Sequence, residues 1–247
     1  MGSVMPAAQA HIIEKLRRDI LSLQGLAKPV RQHDWSRGLG PISQAFPNQY
    51  FPTSAVHEFL VATAEEKAAS SGFIAGLISS INHIPGVMVW IGTKLQVYPH
   101  AYKVFGIDPE KIIFVSLDRE KDVLWAVEES LKCEGLSAVV GELRGLSFDV
   151  SRRLQLAVEK SHVTGFILNH NTSSINANTC VSRWKISHLP SAVYDDLPGI
   201  GFPRWQVDLL KVRNGQPGSW QVEWSASKFR FETRAKTVGI SERRKTG

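Results

Sequence analysis

Residues 55–69 read AVHEFLVATAEEKAA and join a short apolar run to a segment that carries two glutamates and a lysine. Four further apolar runs follow along the chain, at 87–91, 112–117, 137–140 and 165–168. Each is rich in valine, isoleucine or leucine, and short runs of this kind predict strands of a parallel sheet covered on both faces.

Helical segments alternate with these strands. We predict helices over about 65–81, 118–131 and 149–160, with Asp118 as the cap of the second. Alternation of strands and helices predicts a doubly wound α/β core with a mostly parallel sheet flanked by helices.

Beyond about residue 180 the apolar residues recur with period two, as in Trp184 and Ile186 or Trp220, Val222 and Trp224. Asn214-Gly215 supplies turn chemistry, so C-terminal antiparallel strands should extend the sheet. An amphipathic helix is predicted over 9–24, with Ile12, Leu16 and Ile20 on one face. The resulting division is an N-terminal helix region over 1–27, a core over 28–227 and a tail over 228–247.

The composition excludes several classes of protein. With 43% hydrophobic and 21% charged residues, the chain can bury a core, and it has no apolar run long enough to cross a membrane. The first residues do not resemble a secretory signal, and Cys133 and Cys180 lack metal-ligand spacing. We expect a cytoplasmic protein without disulfides and without contact with a membrane.

The net charge of +6 is concentrated at one end of the chain. Residues 228–247 contain seven basic and two acidic side chains, whereas the other 227 residues contain 22 basic and 21 acidic ones. The basic residues of the tail are Lys228, Arg230, Arg234, Lys236, Arg243, Arg244 and Lys245. An acidic partner should therefore meet the tail.

The junction after the first strand is where a nucleotide-binding α/β protein would hold phosphate, with the pattern G-x-x-x-x-G-K-[ST]. Here Lys67 is present, but Val61 and Glu66 replace the glycines and Ala68 replaces the hydroxyl residue. Carboxylates at a helix N-terminus also repel a phosphate. We interpret Lys67 as an exposed helix residue and the segment as a degenerate phosphate-binding loop.

Several segments, taken in order and spacing, resemble the RecA-like fold and, within it, the ImuA family, which is also described as SulA-like. They include FPTSAVHEF at 51–59, YPHAYKVFGID at 98–108, LSAVVGEL at 136–143, SRRLQLA at 151–157 and NGQPGSW at 214–220. The resemblance covers about residues 10–225 and implies a core of the P-loop NTPase type.

The resemblance also implies that the catalytic groups of active relatives are missing. Gly141 stands where they have a metal-anchoring acid, and Glu142, one residue later, should point to the opposite face. Lys94 replaces the glutamate that activates water, and His170 replaces a polar phosphate sensor. We therefore expect no catalytic residue, metal or cofactor, and only a vestigial nucleotide site at Lys67 and His170.

In recombinases, which share the RecA-like fold, the segments after the fourth and fifth strands form loops that face DNA. Here these segments are short, and residues 172–176 contain no lysine or arginine. The resemblance therefore implies weakened DNA contacts at this surface. The tail alternates basic and aromatic residues at 228–231, which suits phosphate neutralisation and base stacking. The alternative is that Phe229 and Phe231 belong to a final strand and that the remaining residues form a solvated end. Both interpretations stay open at this point.

Other candidate residues have structural interpretations. His57-Glu58 lacks the second histidine of a zinc-binding helix, and Arg152 and Arg153 begin a helix as surface charges or as contacts for a partner. We expect Trp184, Trp205, Trp220 and Trp224 to pack within the closing sheet.

The favoured function is that of a non-catalytic accessory protein in SOS-induced, error-prone DNA repair. The ImuA resemblance implies an ImuB-like, polymerase-related partner in translesion synthesis, with contacts to RecA, and the tail would contact DNA. One alternative is a SulA-like cell-division inhibitor. Another is a DNA-dependent ATPase, which Val61, Glu66, Ala68 and Gly141 argue against.

Overall fold

The structure is a computed structural model of the 247-residue chain. It describes residues 36–81, 86–95, 98–171, 177–191 and 201–231. The predicted helix over 9–24, the segment 172–176 and the tail beyond Phe231 lie outside the described residues.

A sheet of nine strands runs through the described part of the chain, in the order β3-β2-β4-β5-β1-β6-β7-β8-β9. The first six strands in this order are parallel, and β7, β8 and β9 continue the sheet in antiparallel pairing. The strands are β1 Val56–Leu60, β2 Val87–Gly92, β3 Ile112–Ser116, β4 Leu136–Leu143, β5 Thr164–Asn169, β6 Ser182–Leu189, β7 Arg204–Val212, β8 Gly218–Ser225 and β9 Lys228–Phe231. The predicted α/β class and its mostly parallel sheet are confirmed.

Three helices cover the two faces of the sheet: α1 Ala64–Ile81, α2 Glu120–Leu131 and α3 Phe148–Ser161. A helical turn at Ser36–Leu39 and 3-10 helices at Gly40–Ala45, Pro47–Gln49, Pro99–Phe105 and Pro109–Lys111 occupy connections. The predicted helices agree with these bounds to within two residues. The predicted cap Asp118 is wrong, because the helix begins at Glu120 and Arg119 occupies the N-cap position.

One face of the sheet carries α1 and an aromatic core. Phe73 of α1 lies 5.8 Å from the Trp184 ring and 5.3 Å from the Phe229 ring, centroid to centroid. Gly76 allows this close packing, because a Cβ at that position would approach Phe229 to 2.8 Å. Phe73 therefore packs against both β6 and β9, which lie three strands apart in the sheet.

The other face carries α2 and α3 over an aliphatic core. Val123, Val127 and Leu131 of α2 are fully buried, as are Leu154 and Val158 of α3. Ser147 caps α3 by accepting a hydrogen bond from the Val150 N–H at 3.2 Å. The buried residues of both helices belong to this one core.

The C-terminal strands contain the tryptophans predicted to close the sheet. Trp184, Trp205 and Trp224 are buried, and Trp220 is half-buried against the same cluster. Phe229 is buried in β9, so the first four residues of the predicted tail are part of the sheet. The final-strand interpretation of 228–231 is confirmed, and Phe229 is not available for stacking on a base.

Within the described ranges, every helix is too short or too polar to cross a membrane.

Candidate functional site

The junction between β1 and α1 is closed by its own side chains. Thr63, just before the helix, accepts a hydrogen bond from the Glu66 N–H at 3.2 Å. The Glu66 carboxylate in turn accepts one from the Ala62 N–H at 2.7 Å and lies 3.5 Å from the Lys185 ammonium. This reciprocal arrangement is a variant of the capping box. A backbone donor that a phosphate-binding loop would direct at an anion is therefore taken by an internal carboxylate.

Glu65 adds a second negative charge at the same place. A hydrogen bond from the Thr63 side chain, followed by one from its own backbone N–H, lowers the pKa of this exposed carboxyl. Glu65 is thus ionised at neutral pH, and its repulsion of an incoming anion stays a prediction.

Lys67 points inward and is paired. Its Nζ donates to Oε2 of Glu142 over 2.8 Å, and 24% of its side chain is exposed. The expectation that Lys67 is simply an exposed helix residue is therefore wrong. The sequence could not indicate the contact, because the partner lies 75 positions away.

Glu142 is the acid on the α1 face of β4. Its Oε1 accepts a hydrogen bond from the Trp90 indole N–H at 3.1 Å, and only 7% of the side chain is exposed. A Cβ at Gly141 would approach Val127 of α2 to 2.6 Å, so Gly141 faces the other side of the sheet. From the sequence we expected position 141 to face the site and Glu142 to point to the opposite side of the sheet. That expectation is wrong, because Glu142 faces Lys67.

His170 joins this cluster from the end of β5. Its Nε2 lies 3.9 Å from Oε2 of Glu142, and its backbone N–H donates to the Leu143 carbonyl over 2.8 Å. Burial lowers the pKa of His170, although the neighbouring Glu142 opposes that shift. The structure thus brings together Lys67 and His170, the two predicted nucleotide-site residues, around one carboxylate, whereas Lys94 is exposed.

A cavity of about 640 Å³ opens beside the Lys67–Glu142 pair. Tyr98, Tyr102, Phe105 and Trp205 supply aromatic walls, and small residues of α1 such as Gly72 leave the space open. Burial, and then Glu142, raise the pKa of Tyr102, which keeps the phenol neutral. The volume falls within the range of roughly 300–1,000 Å³ typical of ligand pockets.

A second polar cluster lies on the opposite face of the sheet, around Glu58 of β1. Glu58 is 1% exposed and accepts hydrogen bonds from Asn169 and Asn178, both at 2.8 Å, and from Arg183. Lys211 donates to the Asn178 carbonyl over 2.8 Å, and burial lowers its pKa. This cluster anchors the chain that precedes β6 and, unlike Glu142, does not line the cavity.

His57, next to Glu58, points into the aromatic core. Its Nδ1 lies 2.6 Å from the Ser182 hydroxyl and its Nε2 2.8 Å from the Pro52 carbonyl. Because a carbonyl only accepts, Nε2 carries the proton and Nδ1 accepts from Ser182. Burial lowers the pKa of His57 to about 4, and the residue is a structural member of the core.

The structure places two of the seven predicted tail residues. Lys228 and Arg230 are exposed on β9, and Arg234, Lys236, Arg243, Arg244 and Lys245 lie outside the described residues. Across the described ranges, no group of three or more histidine, cysteine, aspartate or glutamate side chains is arranged to hold a metal ion. Cys133 is exposed and Cys180 buried, and both are free thiols.

Trp90 is the site residue that the sequence analysis missed. It lies in an apolar run, which predicts a core residue, and it is fully buried. Its indole N–H also donates a hydrogen bond to Glu142. Its position follows from pairing of β2 with β4, which sets Trp90 beside Val140, and from alternation along β4, which puts Glu142 on the same face as Val140; the strand pairing was not available from the sequence.

These features define an α/β protein with a mixed nine-stranded sheet, in which the lysine after β1 is neutralised by a carboxylate from β4. Over 200 aligned residues the chain is 29% identical to the protein ImuA of Caulobacter vibrioides, in each of two strains. The alignment covers 76% of this chain and 82% of that protein. No family model matches the chain. The similarity confirms the resemblance to the ImuA family that the sequence predicted.

Proposed function

We propose that this protein is a non-catalytic, RecA-like accessory protein in damage-induced, error-prone DNA synthesis. It would act as an adaptor for an ImuB-like, polymerase-related partner, as the ImuA resemblance implies. The similarity to ImuA of Caulobacter vibrioides supports a role in damage-induced mutagenesis. The internal contacts of the candidate site support the absence of catalysis.

The observation that carries the proposal is the internal neutralisation of the site. Phosphoryl transfer needs free donors and cations to hold the phosphates and the developing charge. Here the Ala62 N–H binds Glu66, and the Lys67 ammonium binds Glu142. A nucleotide would have to break these contacts and displace two carboxylates before its phosphates reached the loop.

Turnover of ATP by the purified chain tests the non-catalytic part of this proposal. We expect no hydrolysis above background, no calorimetric binding of ATP with magnesium, and no difference between the natural chain and Lys67→Ala. Hydrolysis that Lys67→Ala abolishes would show that the site works and would overturn the proposal.

Co-purification from DNA-damaged cells tests the adaptor role. The tagged chain is expected to retain an ImuB-like protein, and overexpression is expected to leave cell division unaltered. Filamentous growth without such a partner would favour the SulA-like alternative instead.

The basic tail is the element we propose for contact with DNA. Because β9 belongs to the sheet, the informative truncation ends the chain after Phe231 rather than before Lys228. Removing residues 232–247 should weaken binding to single-stranded DNA and flatten its dependence on salt, since each lost phosphate contact reduces the slope. An unchanged affinity and slope would show that the tail is passive.

A further inference from the structure

The cavity beside α1 has walls that suit a flat ring. Ala64, Ala68 and Gly72 are spaced four residues apart along α1, and all three line the cavity with small or absent side chains. The rings of Phe105 and Trp205, which also line it, lie 6.3 Å apart at an angle of 25°, and a Cβ at Gly72 would approach them to 3.3 Å and 3.1 Å. Small residues beside aromatic rings leave room for a further ring to stack or to pack edge to face.

Two buried aromatic residues of the cavity carry polar hydrogens without an acceptor among the described residues. Tyr102 is 6% exposed and Trp205 is 4% exposed, and both line the cavity. The other three buried tryptophans of the described ranges, Trp90, Trp184 and Trp224, each donate the indole N–H to a protein acceptor. Neither the Tyr102 hydroxyl nor the Trp205 indole N–H belongs to the fully enclosed groups that lack a partner, so both open onto the cavity. Buried hydroxyl and indole groups normally have a partner, and the cavity is where that partner would lie.

The charged side chains of the cavity are already engaged. Lys67 donates to Glu142 over 2.8 Å, and Arg204 donates to a backbone carbonyl over 3.1 Å. Glu65 accepts a hydrogen bond from a neighbouring hydroxyl. These two carboxylates and two cations cancel in formal charge, and His188, which also lines the cavity, is exposed. A charged ligand therefore meets like charge as well as opposite charge, whereas the two groups without partners are neutral donors.

We propose that the cavity binds a small, neutral, planar aromatic molecule through its carbonyl oxygens. These oxygens would accept hydrogen bonds from the Tyr102 hydroxyl and from the Trp205 indole N–H, which can only donate. The ring would pack among the aromatic walls beside Ala68. A volume of about 640 Å³ accommodates a molecule of this class. The inference goes beyond the proposed function and does not depend on it, because its test needs only the purified full-length chain and small molecules.

A set of matched small molecules tests this ligand class by isothermal titration calorimetry. The probe is 2-naphthamide, which is neutral and planar and carries a carbonyl. Its anionic analogue is 2-naphthoate, its cationic analogue is 2-naphthylmethylamine, and decahydronaphthalene-2-carboxamide carries the same amide on a non-planar ring. We expect 2-naphthamide to bind roughly tenfold more tightly than each of the others, since each lacks one feature that the cavity selects. Addition of ATP with magnesium should not displace it.

Two substitutions place the bound molecule in the cavity. Tyr102→Phe removes one hydroxyl and keeps the ring, so the affinity for 2-naphthamide should fall roughly fivefold to tenfold. Ala68→Leu fills part of the cavity from an exposed position of α1 and should abolish measurable binding. The matched control, Tyr50→Phe, removes a hydroxyl from a residue that does not line the cavity and should leave the affinity unchanged. Cooperative thermal unfolding confirms that each variant is folded.

Four outcomes would overturn the inference. The first is no saturable binding of 2-naphthamide, which would mean that solvent alone fills the cavity. The second is an affinity that neither Tyr102→Phe nor Ala68→Leu changes, and the third is binding of any of the other three molecules as tightly as 2-naphthamide. These three results leave the proposed function untouched. The fourth is displacement of 2-naphthamide by ATP, which would identify a nucleotide site and contradict the proposed function as well.

Discussion

Glu58 and Glu142 are two buried carboxylates on opposite faces of one sheet. Glu58 is 1% exposed and accepts hydrogen bonds from Arg183 and from two asparagine amides. Glu142 is 7% exposed and accepts them from Lys67 and from the Trp90 indole. Each therefore has one cationic partner and at least one neutral donor.

The difference lies in the cations. The Arg183 side chain is 10% exposed and is enclosed with Glu58, whereas the Lys67 side chain is 24% exposed and lines the cavity. A lysine ammonium on a flexible stem can turn into that cavity, whereas the guanidinium of Arg183 does not line it. A buried ion pair is therefore not by itself evidence of a binding site. The Lys67–Glu142 pair is the better candidate because Lys67 lines the cavity.

Removal of the Glu58 carboxylate is the change with the largest expected effect. Glu58→Ala removes the buried carboxylate that accepts hydrogen bonds from Arg183, Asn169 and Asn178, and breaking a buried pair in this way costs about 3–5 kcal/mol. Urea unfolding followed by circular dichroism measures the loss. Glu134→Ala, at an exposed glutamate, should change stability by less than about 0.5 kcal/mol.

Glu58→Gln provides a second test, because the amide oxygen keeps one acceptor. It should destabilise the fold less than Glu58→Ala does. A loss below about 1 kcal/mol for Glu58→Ala would contradict the view that this cluster is closed to solvent.

The lowered pKa of His57, the neighbour of Glu58 on β1, leads us to expect a loss of stability in acid. The folded protein protonates this residue only near pH 4, whereas the unfolded chain does so near pH 6.5. Between these values the unfolded state binds the extra proton, so the free energy of unfolding falls as the pH falls. At 1.36 kcal/mol per unit, the loss is about 2 kcal/mol by pH 5 and about 3 kcal/mol by pH 4.

The variant His57→Gln isolates this contribution from the other titrating groups. It should be less stable than the natural chain at pH 7, and its stability should fall less steeply between pH 6.5 and pH 5. Parallel pH profiles for the two proteins would mean that the pKa of His57 is the same in the folded and unfolded states.

Most of the fold follows from local patterns in the sequence. The five apolar runs became β1 to β5 because short segments rich in valine and isoleucine have few stable alternatives to a buried strand. The period-two alternation after residue 180 became β6, β7 and β8 for a similar reason. The error at Asp118 is one of boundary, since Arg119 occupies the cap instead.

The candidate site could be predicted less well from the sequence, because its contacts join residues that are far apart along the chain. Alternation along β4 was read correctly, but the side of the sheet that α1 covers had to be known before Glu142 was placed opposite Lys67. The degenerate loop was visible in Val61, Glu66 and Ala68. The hydrogen bond from the Ala62 N–H to the Glu66 carboxylate could not be predicted. It depends on the conformation of the Glu66 side chain, which the spacing of residues in the sequence does not determine.

Replacement of Glu142 should have a smaller effect than replacement of Glu58. In Glu142→Gln the Trp90 hydrogen bond can be kept by the amide oxygen, and Lys67 can turn toward the cavity and regain water. We expect a loss of about 1–2 kcal/mol in urea unfolding. Lys67→Met leaves the carboxylate buried without its cation and should cost at least as much as Glu142→Gln. A loss of 3 kcal/mol or more for Glu142→Gln would show that this pair is as closed as the Glu58 cluster.

The smallest effect is expected for Glu66 of the same junction, whose side chain is 16% exposed. Glu66→Ala removes its hydrogen bond with the Ala62 N–H and its 3.5 Å contact with Lys185. Caps and partly exposed pairs of this kind contribute about 0.5–1 kcal/mol, so thermal unfolding should shift only slightly. The same variant frees the Ala62 donor and the Lys185 ammonium, and added phosphate should then raise the unfolding temperature of Glu66→Ala more than that of the natural chain. Equal stabilisation of both proteins by phosphate would mean that Glu66 does not keep anions out, and that the loss of the phosphate-loop glycines is sufficient by itself.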